Sequence, residues 1–292
     1  MSYTITAYST ALFSTWINVE ELSLLIDAGD GVTAGLLQKS RKIKHAFITH
    51  PDRDHLTGLL QFNQLNARPG FPKIYFPKDS GSFHAMEAFQ AKFDPHVSGS
   101  EWIAIADGDE IEIKRDIIVQ ALRNEHVKVA PGIHKSLSYK VFEERQKLKP
   151  EFQHLSGKEI QAIALSQGKE GLIETIRKNI ISFSGDTPVD DYEKWNHSQI
   201  LIHEATFLKD EGDSKKDSRG NRHSKIDEVF KMVSEIEVEK LILNHFSSRY
   251  SHEEIIAAIL RLCRVYKIQI PVFAVLPGQI SRDILNSQPV NG

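Results

Sequence analysis

Short apolar runs recur along this chain, and several of them close on a histidine or an aspartate. Leu22–Asp27 (LSLLID) predicts a buried strand, Ala28–Gly31 a turn and Thr33–Lys39 a short helix. His45–Thr49 predicts the next strand, closed by His50-Pro51. Lys73–Phe76 predicts a third, stopping at Pro77 before a helix over Ser82–Phe93. Ile103–Ile105, Asp109–Lys114 and Ile117–Leu122 alternate like members of one antiparallel hairpin set, which Leu137–Phe142 continues. Buried character returns at Ile180–Phe183, Ile200–Ile202, Leu241–Leu243 and Val272–Val275, with helices predicted over Ile226–Ser234 and Glu253–Tyr266. Glu143–Asn179 is polar and helix-forming, with a capping pattern at Ser156–Glu159, and reads as a helical arm-like insertion between strands. Asp210–His223, rich in Asp, Ser, Lys and Gly, reads as a mobile surface loop. Strands and helices interleaved in this way predict an α/β sandwich, a single domain over residues 1–292 in which helices cover two packed sheets and 143–179 is the inserted segment.

Composition narrows the class. Hydrophobic residues at 40% and charged residues at 26% suit a chain that closes a sizeable core, which excludes disordered and fibrous classes. No apolar run is long enough to span a bilayer, and the first residues lack the basic start and small-residue cleavage site of a secretory signal, so a cytoplasmic protein with no membrane partner is expected. The lone Cys263 lies in an apolar helical pattern and reads as a packing thiol. A net charge of -3 gives no global signal for nucleic acid, so any polyanion site has to be local. Arg41/Lys42/Lys44, Arg145/Lys147/Lys149 and Lys215/Lys216/Arg219/Arg222 are the local basic groups, each read in the first place as a solvated face or loop.

The chemistry concentrates in Thr49–His55 (THPDRDH), where His50, Asp52, Asp54 and His55 can all ligate a metal directly after a strand. His50 and Asp52 could serve one ion and Asp54 and His55 a second; Asp52 or Asp54 could instead cap the helix that follows. His126, Asp186 and His245 stand after later buried runs, which would bring them to the same sheet edge. Asp186 is suited to bridge two cations, and two adjacent cations can activate a water and stabilise charge on an attacked phosphate or carbonyl. Glu204 and His223 could form an orienter and acid pair, with a surface ion pair as the plain alternative.

His50-x-Asp52-x-Asp54-His55 resembles the H-x-H-x-D-H signature of the metallo-β-lactamase superfamily, and Ser184–Thr187 (SGDT) its later aspartate motif. Leu201–Phe207 (LIHEATF) and His245–Tyr250 (HFSSRY) resemble ribonuclease Z, the tRNA 3′-processing endonuclease. Gln146–Phe152 and Leu155–Ile160 are similar to the short, plant-type enzymes, in which this region is a small arm gripping the tRNA elbow. The resemblance covers about residues 22–277. It implies the metallo-β-lactamase fold, a four-layer αβ/βα sandwich with two mixed β-sheets. It also implies two divalent ions, zinc with manganese or iron as alternatives, held by His50, Asp54, His55, His126, Asp186 and His245. Asp54 would be general base, His223 with Glu204 would supply the leaving-group proton, and Ser247, Ser248 and Arg249 would lie near a substrate phosphate. The implied reaction is hydrolysis of a tRNA precursor just 3′ of the discriminator base, by a homodimer. Asp52 replaces the family's second histidine, placing a harder, charged oxygen in the ligand set. The stretch after His126 is longer than the family's link, which makes His134 a rival third-motif ligand; Asn124–Val127 matches the family context and favours His126. The family's early glycine-rich loop and Pro-x-x-x-x-Asn element are absent, which keeps a small phosphodiester, cyclic nucleotide or ester as the other substrate class.

Overall fold

The computed structural model describes residues 3–168, 170–208 and 222–292. Positions 210–221 of the expected surface loop, with Lys215, Lys216 and Arg219, lie outside the described residues. The first half of the chain runs β1 (Ile5–Thr10), β2 (Ser14–Val19), β3 (Leu24–Ile26), α1 (Val32–Leu36), β4 (His45–Phe47), α2 (Arg53–Leu56), α3 (Leu59–Asn66), β5 (Lys73–Pro77), α4 (Gly81–Phe93) and β6 (Glu101–Ile105). The second runs β7 (Glu110–Lys114), β8 (Ile117–Arg123), β9 (Leu137–Leu148), α5 (Gly157–Gln167), β10 (Ile173–Phe183), β11 (Ser198–Glu204), α6 (Ile226–Glu235), β12 (Val238–Asn244), α7 (His252–Val265) and β13 (Val272–Ala274). Strands β1 to β6 form one sheet in sequence order, and β7 to β13 form the other in sequence order.

Each sheet is mixed. β1, β2 and β3 are antiparallel and β3 to β6 parallel; β7 to β10 are antiparallel and β10 to β13 parallel. One apolar layer lies between the sheets, where Ile5, Ile17 and Phe47 face Val119, Tyr139 and Phe183. A second joins the first sheet to α1 and α3 through Val32, Leu36, Leu59 and Phe62, and a third joins the second sheet to α6 and α7 through Phe230, Val233, Ile255 and Ile259. The result is helix, sheet, sheet, helix, the four-layer α/β sandwich the resemblance implies. Cys263 packs in the third layer. No helix among the described residues is long and apolar enough to cross a membrane.

Two expectations need correction, and two strands were not foreseen. β6 does not join the hairpin set: it pairs parallel to β5 in the first sheet, because α4 supplies the crossover that a parallel partner requires. Glu143–Asn179 is helical only over Pro150–Phe152 and Gly157–Gln167, the latter opened by a Ser156–Glu159 capping box; its two ends continue β9 and β10 as a ribbon in register from Lys178 opposite Glu143 to Ile173 opposite Leu148. That ribbon reads as polar because both faces meet water, and cross-strand contacts hold it: Arg177 lies 3.2 Å from Glu144 and stacks 4.3 Å over the Phe142 ring. The strands β1 and β2, for which the pattern gave no expectation, are buried on nearly every residue and lack the period-two alternation that reveals a half-exposed strand.

The parallel halves place their strand ends at one edge, where the chain leaves β3 at Asp27, β4 at His50, β10 at Asp186 and β12 at His245. Two glycines allow the loops there to touch. A Cβ on Gly58 would lie 2.2 Å from the Gly29 carbonyl, and one on Gly29 would lie 2.2 Å from the Asp54 carbonyl. Gly58→Ala should therefore cost roughly 1–3 kcal/mol, as overpacking against backbone does. Chemical denaturation would measure it, and a variant as stable as wild type would show that the loop yields.

Candidate metal centre and active site

Seven side chains from these strand ends converge. His50, Asp52, Asp54 and His55 come from the β4–α2 turn and the start of α2, His126 from the loop after β8, Asp186 from the loop after β10, and His245 from the loop after β12. Asp52 occupies the N-cap position of α2 without a capping hydrogen bond from its side chain, so the capping alternative does not describe it. Its Oδ2 lies 3.9 Å from His50 Nε2 and 3.8 Å from His126 Nε2. Asp54 Oδ2 lies 3.5 Å from His55 Nε2 and 3.4 Å from His245 Nε2. Between these groups, Asp186 Oδ2 stands 3.6 Å from His50, 3.3 Å from His55 and 3.3 Å from His245, each measured to Nε2. His134 is elsewhere: its amide donates to Asp79 and its Nδ1 accepts from the Asp107 amide.

The donor set fits divalent cations. The Nε2 atoms of His50, His55 and His126 are buried and make no hydrogen bond among the described residues, an arrangement that costs free energy unless another group uses the lone pairs. Ligand atoms around a tetrahedral ion at roughly 2.0–2.2 Å lie about 3.4 Å apart. The Asp54, His55, His245 and Asp186 atoms match that spacing; those of His50, Asp52 and His126 are looser.

What aims these nitrogens inward is a set of hydrogen bonds on the opposite side of each ring. His55 Nδ1 pairs with Asp27 Oδ2 at 2.8 Å. His50 Nδ1 meets Thr49 Oγ1 at 2.9 Å, and the Thr49 amide and hydroxyl both donate to Asp27. His245 Nδ1 meets Thr206 Oγ1 at 2.9 Å, while the Thr206 hydroxyl donates to Glu204 Oε2 at 2.5 Å. His126 Nδ1 donates to the Arg222 carbonyl at 2.9 Å, and the Arg222 amide returns a bond to the His126 carbonyl at 3.0 Å. A proton fixed on each Nδ1 leaves the Nε2 lone pair for a cation. Arg222, expected as part of a basic patch, instead ties its guanidinium to Glu125 at 3.0 Å. Asp27, Thr49 and Thr206 were not among the predicted site residues. Asp27, like Asp186, is an acid at the end of a buried apolar run, and could have been found by that position.

The charges are strongly interdependent. Burial by itself would push the carboxyls of Asp54 and Asp186 up, but the surrounding histidines, His55 and His245 foremost, hold both well below the usual carboxylate range. Burial and the neighbouring His55 and His126 rings hold His50 neutral. At His55 burial is outweighed by Asp186, Asp27 and Asp54, whose combined negative field keeps a proton where a cation would otherwise balance them.

Beside the cluster, His223 Nδ1 lies 3.2 Å from Glu204 Oε1, and its ring stacks on His245 at 5.5 Å between centroids. Both residues are buried, which sets aside the surface ion pair alternative. Glu204 also accepts from the Thr187 amide at 2.8 Å. His203, its neighbour in sequence, turns away and packs edge-on against Trp195. Ser247, Ser248 and Arg249 form the turn after His245: the Ser247 amide donates to the Thr206 carbonyl, and Arg249 donates to Ser247 Oγ at 3.1 Å while lying 5.8 Å over the Phe207 ring.

Four layers enclosing a His/Asp cluster at the strand ends define a β-lactamase superfamily domain, and the description "Beta-lactamase superfamily domain" matches residues 23–246. Within that class the chain belongs to the ribonuclease Z family. It is 31% identical over 274 residues to "tRNase Z TRZ2, chloroplastic" of Arabidopsis thaliana, covering 89% of this chain and 72% of that one. It is 29% identical over 274 residues to the ribonuclease Z of Listeria innocua, 84% of each chain. The crystal structure of the short form of human tRNase Z shares the fold with a TM-score of 0.55, over 95% of this chain and 98% of that one, at 18% identity.

Asp27→Ala removes the acceptor behind two histidines and should weaken metal binding by about 10–100-fold, as loss of such outer partners does; chelator competition on the folded variant measures it, and unchanged affinity would remove Asp27 from this role. Asp52→His replaces an oxygen with a nitrogen in the looser group and should raise its preference for zinc over manganese. Titration with each metal, resolved into two affinities, would show it; if neither affinity moves, Asp52 does not face an ion.

Proposed function

We propose that this chain is a metal-dependent endoribonuclease that removes the 3′ trailer of tRNA precursors, cutting just 3′ of the discriminator base. The observation that carries this reading is the buried His/Asp cluster set against the His223–Glu204 pair, in a chain of the ribonuclease Z family. His50, Asp52, His126 and Asp186 would hold one divalent cation, and Asp54, His55, His245 and Asp186 a second; zinc suits the imidazoles, with manganese or iron as alternatives favoured by Asp52. Such a pair supplies Lewis-acid activation of a water and neutralises the negative charge that builds on the attacked phosphate.

The chain's own groups supply the rest. Asp54 acts as general base; its Oδ2 is oriented by the Leu12 amide, which donates at 3.0 Å. Glu204 fixes the proton on His223 Nδ1 and stabilises positive charge on that ring, which equips His223 to protonate the departing 3′ oxygen. Ser247, Ser248 and Arg249, in the turn directly after His245, would lie near a neighbouring substrate phosphate, where Arg249 would offer a charge-assisted contact. The β9–β10 ribbon, with α5 between its strands, carries Lys147, Lys149 and Lys158; we read it as the arm that meets the body of the tRNA. A homodimer is carried over from the family resemblance, and a cytoplasmic location is the expectation drawn from the sequence itself.

Elemental analysis of the purified protein, together with cleavage of a 3′-extended tRNA precursor, tests the whole reading. About two ions per chain are expected, with product ending at the discriminator base and loss of cleavage in Asp186→Ala but not in Lys215→Ala. Bound metal with hydrolysis of a simple aryl phosphodiester, and no RNA cleavage, would transfer the assignment to a small phosphodiester substrate.

A further inference from the structure

The tip of the β1–β2 hairpin is chemically out of place. Tight turns favour Gly, Asn, Asp and Ser, yet this one presents Leu12 and Phe13, 81% and 62% exposed. Leu12 adopts the left-handed conformation at φ 71°, which costs a side chain free energy unless the surroundings impose it. They do: the Leu12 amide donates to Asp54 Oδ2 at 3.0 Å, the Ala11 amide to the Phe246 carbonyl at 3.2 Å, and the Gly278 amide to Thr10 Oγ1 at 2.9 Å. The tip is thus stapled to the proposed general base on one side and to the neighbour of His245 on the other.

Directly beside it is a cavity of about 520 Å³ lined by Tyr8, Phe13, Trp16, Asp30 and Ile280. That is within the roughly 300–1,000 Å³ of pockets that take small organic groups. Tyr8, partly exposed, lies nearly parallel to the buried Trp16 at 6.3 Å between ring centroids, with Phe13 at the exposed mouth. Asp30, exposed at the rim, offers an acceptor to a base amino group. None of these residues takes part in the chemistry described above.

We propose that this cavity receives the nucleobase next to the scissile phosphate, unstacked from its strand and packed on Phe13 beside Tyr8, which rests on the buried Trp16. The inference rests on the ribonuclease reading for its substrate. Its support is continuity: Phe13 follows the residue whose amide holds Asp54, so a phosphate at Asp54 brings the adjoining base to the cavity mouth. Aromatic stacking tolerates every base, which suits an enzyme whose substrates differ in sequence beside the cut.

A cycle of two changes tests it. Wild type and Phe13→Ala are assayed on a 3′-extended tRNA precursor and on versions with an abasic residue on either side of the cut. Removing the base or removing Phe13 should each lower kcat/KM roughly tenfold, the order expected for one lost base–aromatic stack, and in Phe13→Ala the abasic change on that side should cost nothing further. Independent, additive losses, or no loss in Phe13→Ala, would overturn the subsite. In parallel, adenosine 5′-monophosphate should quench tryptophan fluorescence in wild type and not in Phe13→Ala. Quenching without RNA cleavage would refute the ribonuclease reading and leave the subsite standing; cleavage without quenching or coupling would do the reverse. If Phe13→Ala instead turns a dimer into a monomer and nucleotide has no effect, the face joins subunits and the proposal fails.

Discussion

Asp27 is fully buried, and its two oxygens accept from the Thr49 amide, the Thr49 hydroxyl and the His55 imidazole, so one carboxylate joins the end of β3 to the end of β4 and to α2. Taking a carboxylate out of water is expensive unless its lone pairs are filled. Here that requirement shapes geometry, because the donors that meet it are His55, a member of the cluster, and Thr49, whose hydroxyl in turn meets the His50 ring. Two histidines are oriented as a by-product of satisfying one buried acid. Asp27 itself sits at φ 56°, a conformation an aspartate tolerates better than most residues, and it turns the carboxylate under the strand ends.

The second half of the molecule repeats the device with different residues. Glu204 is equally buried and reaches His245 through Thr206, as Asp27 reaches His50 through Thr49. Glu204 differs in also holding His223 directly, so the same carboxylate that orients one proposed ligand prepares the proposed proton donor. His245, at φ 59°, is another residue in the left-handed region, held by its amide's bond to Ser9 Oγ at 2.9 Å. Networks of this kind resist piecewise change, since each member's removal leaves a buried partner unsatisfied.

Much of this was legible in the chain. The parallel strands announce themselves as continuous apolar runs, and polar residues at their ends fall at one edge because parallel strands all finish on the same side. His50, Asp186 and His245, far apart in sequence, share that edge, and His126, which follows the antiparallel β8, is grouped with them because it too stands after a buried run; the structure brings all four together. What stayed hidden has identifiable causes. Thr49 and Thr206 are chemically unremarkable in sequence and acquire their roles from hydrogen bonds that only folding reveals. Arg222 looked like a surface cation because its contribution to His126 is made by its backbone carbonyl, which carries no sequence signature. The ribbon of β9 and β10 was read as helical because its solvated faces lack the apolar alternation by which strands are found.

The cluster draws His50, Asp52, Asp54 and His55 from the first sheet's side and His126, Asp186 and His245 from the second's. Neither half assembles a complete set, so a cation held there binds only where both sheets are docked. Its binding energy would then stabilise the seam between them and not either half alone, by linkage to the folded state. Ion capture would act as the latch that keeps the two halves together.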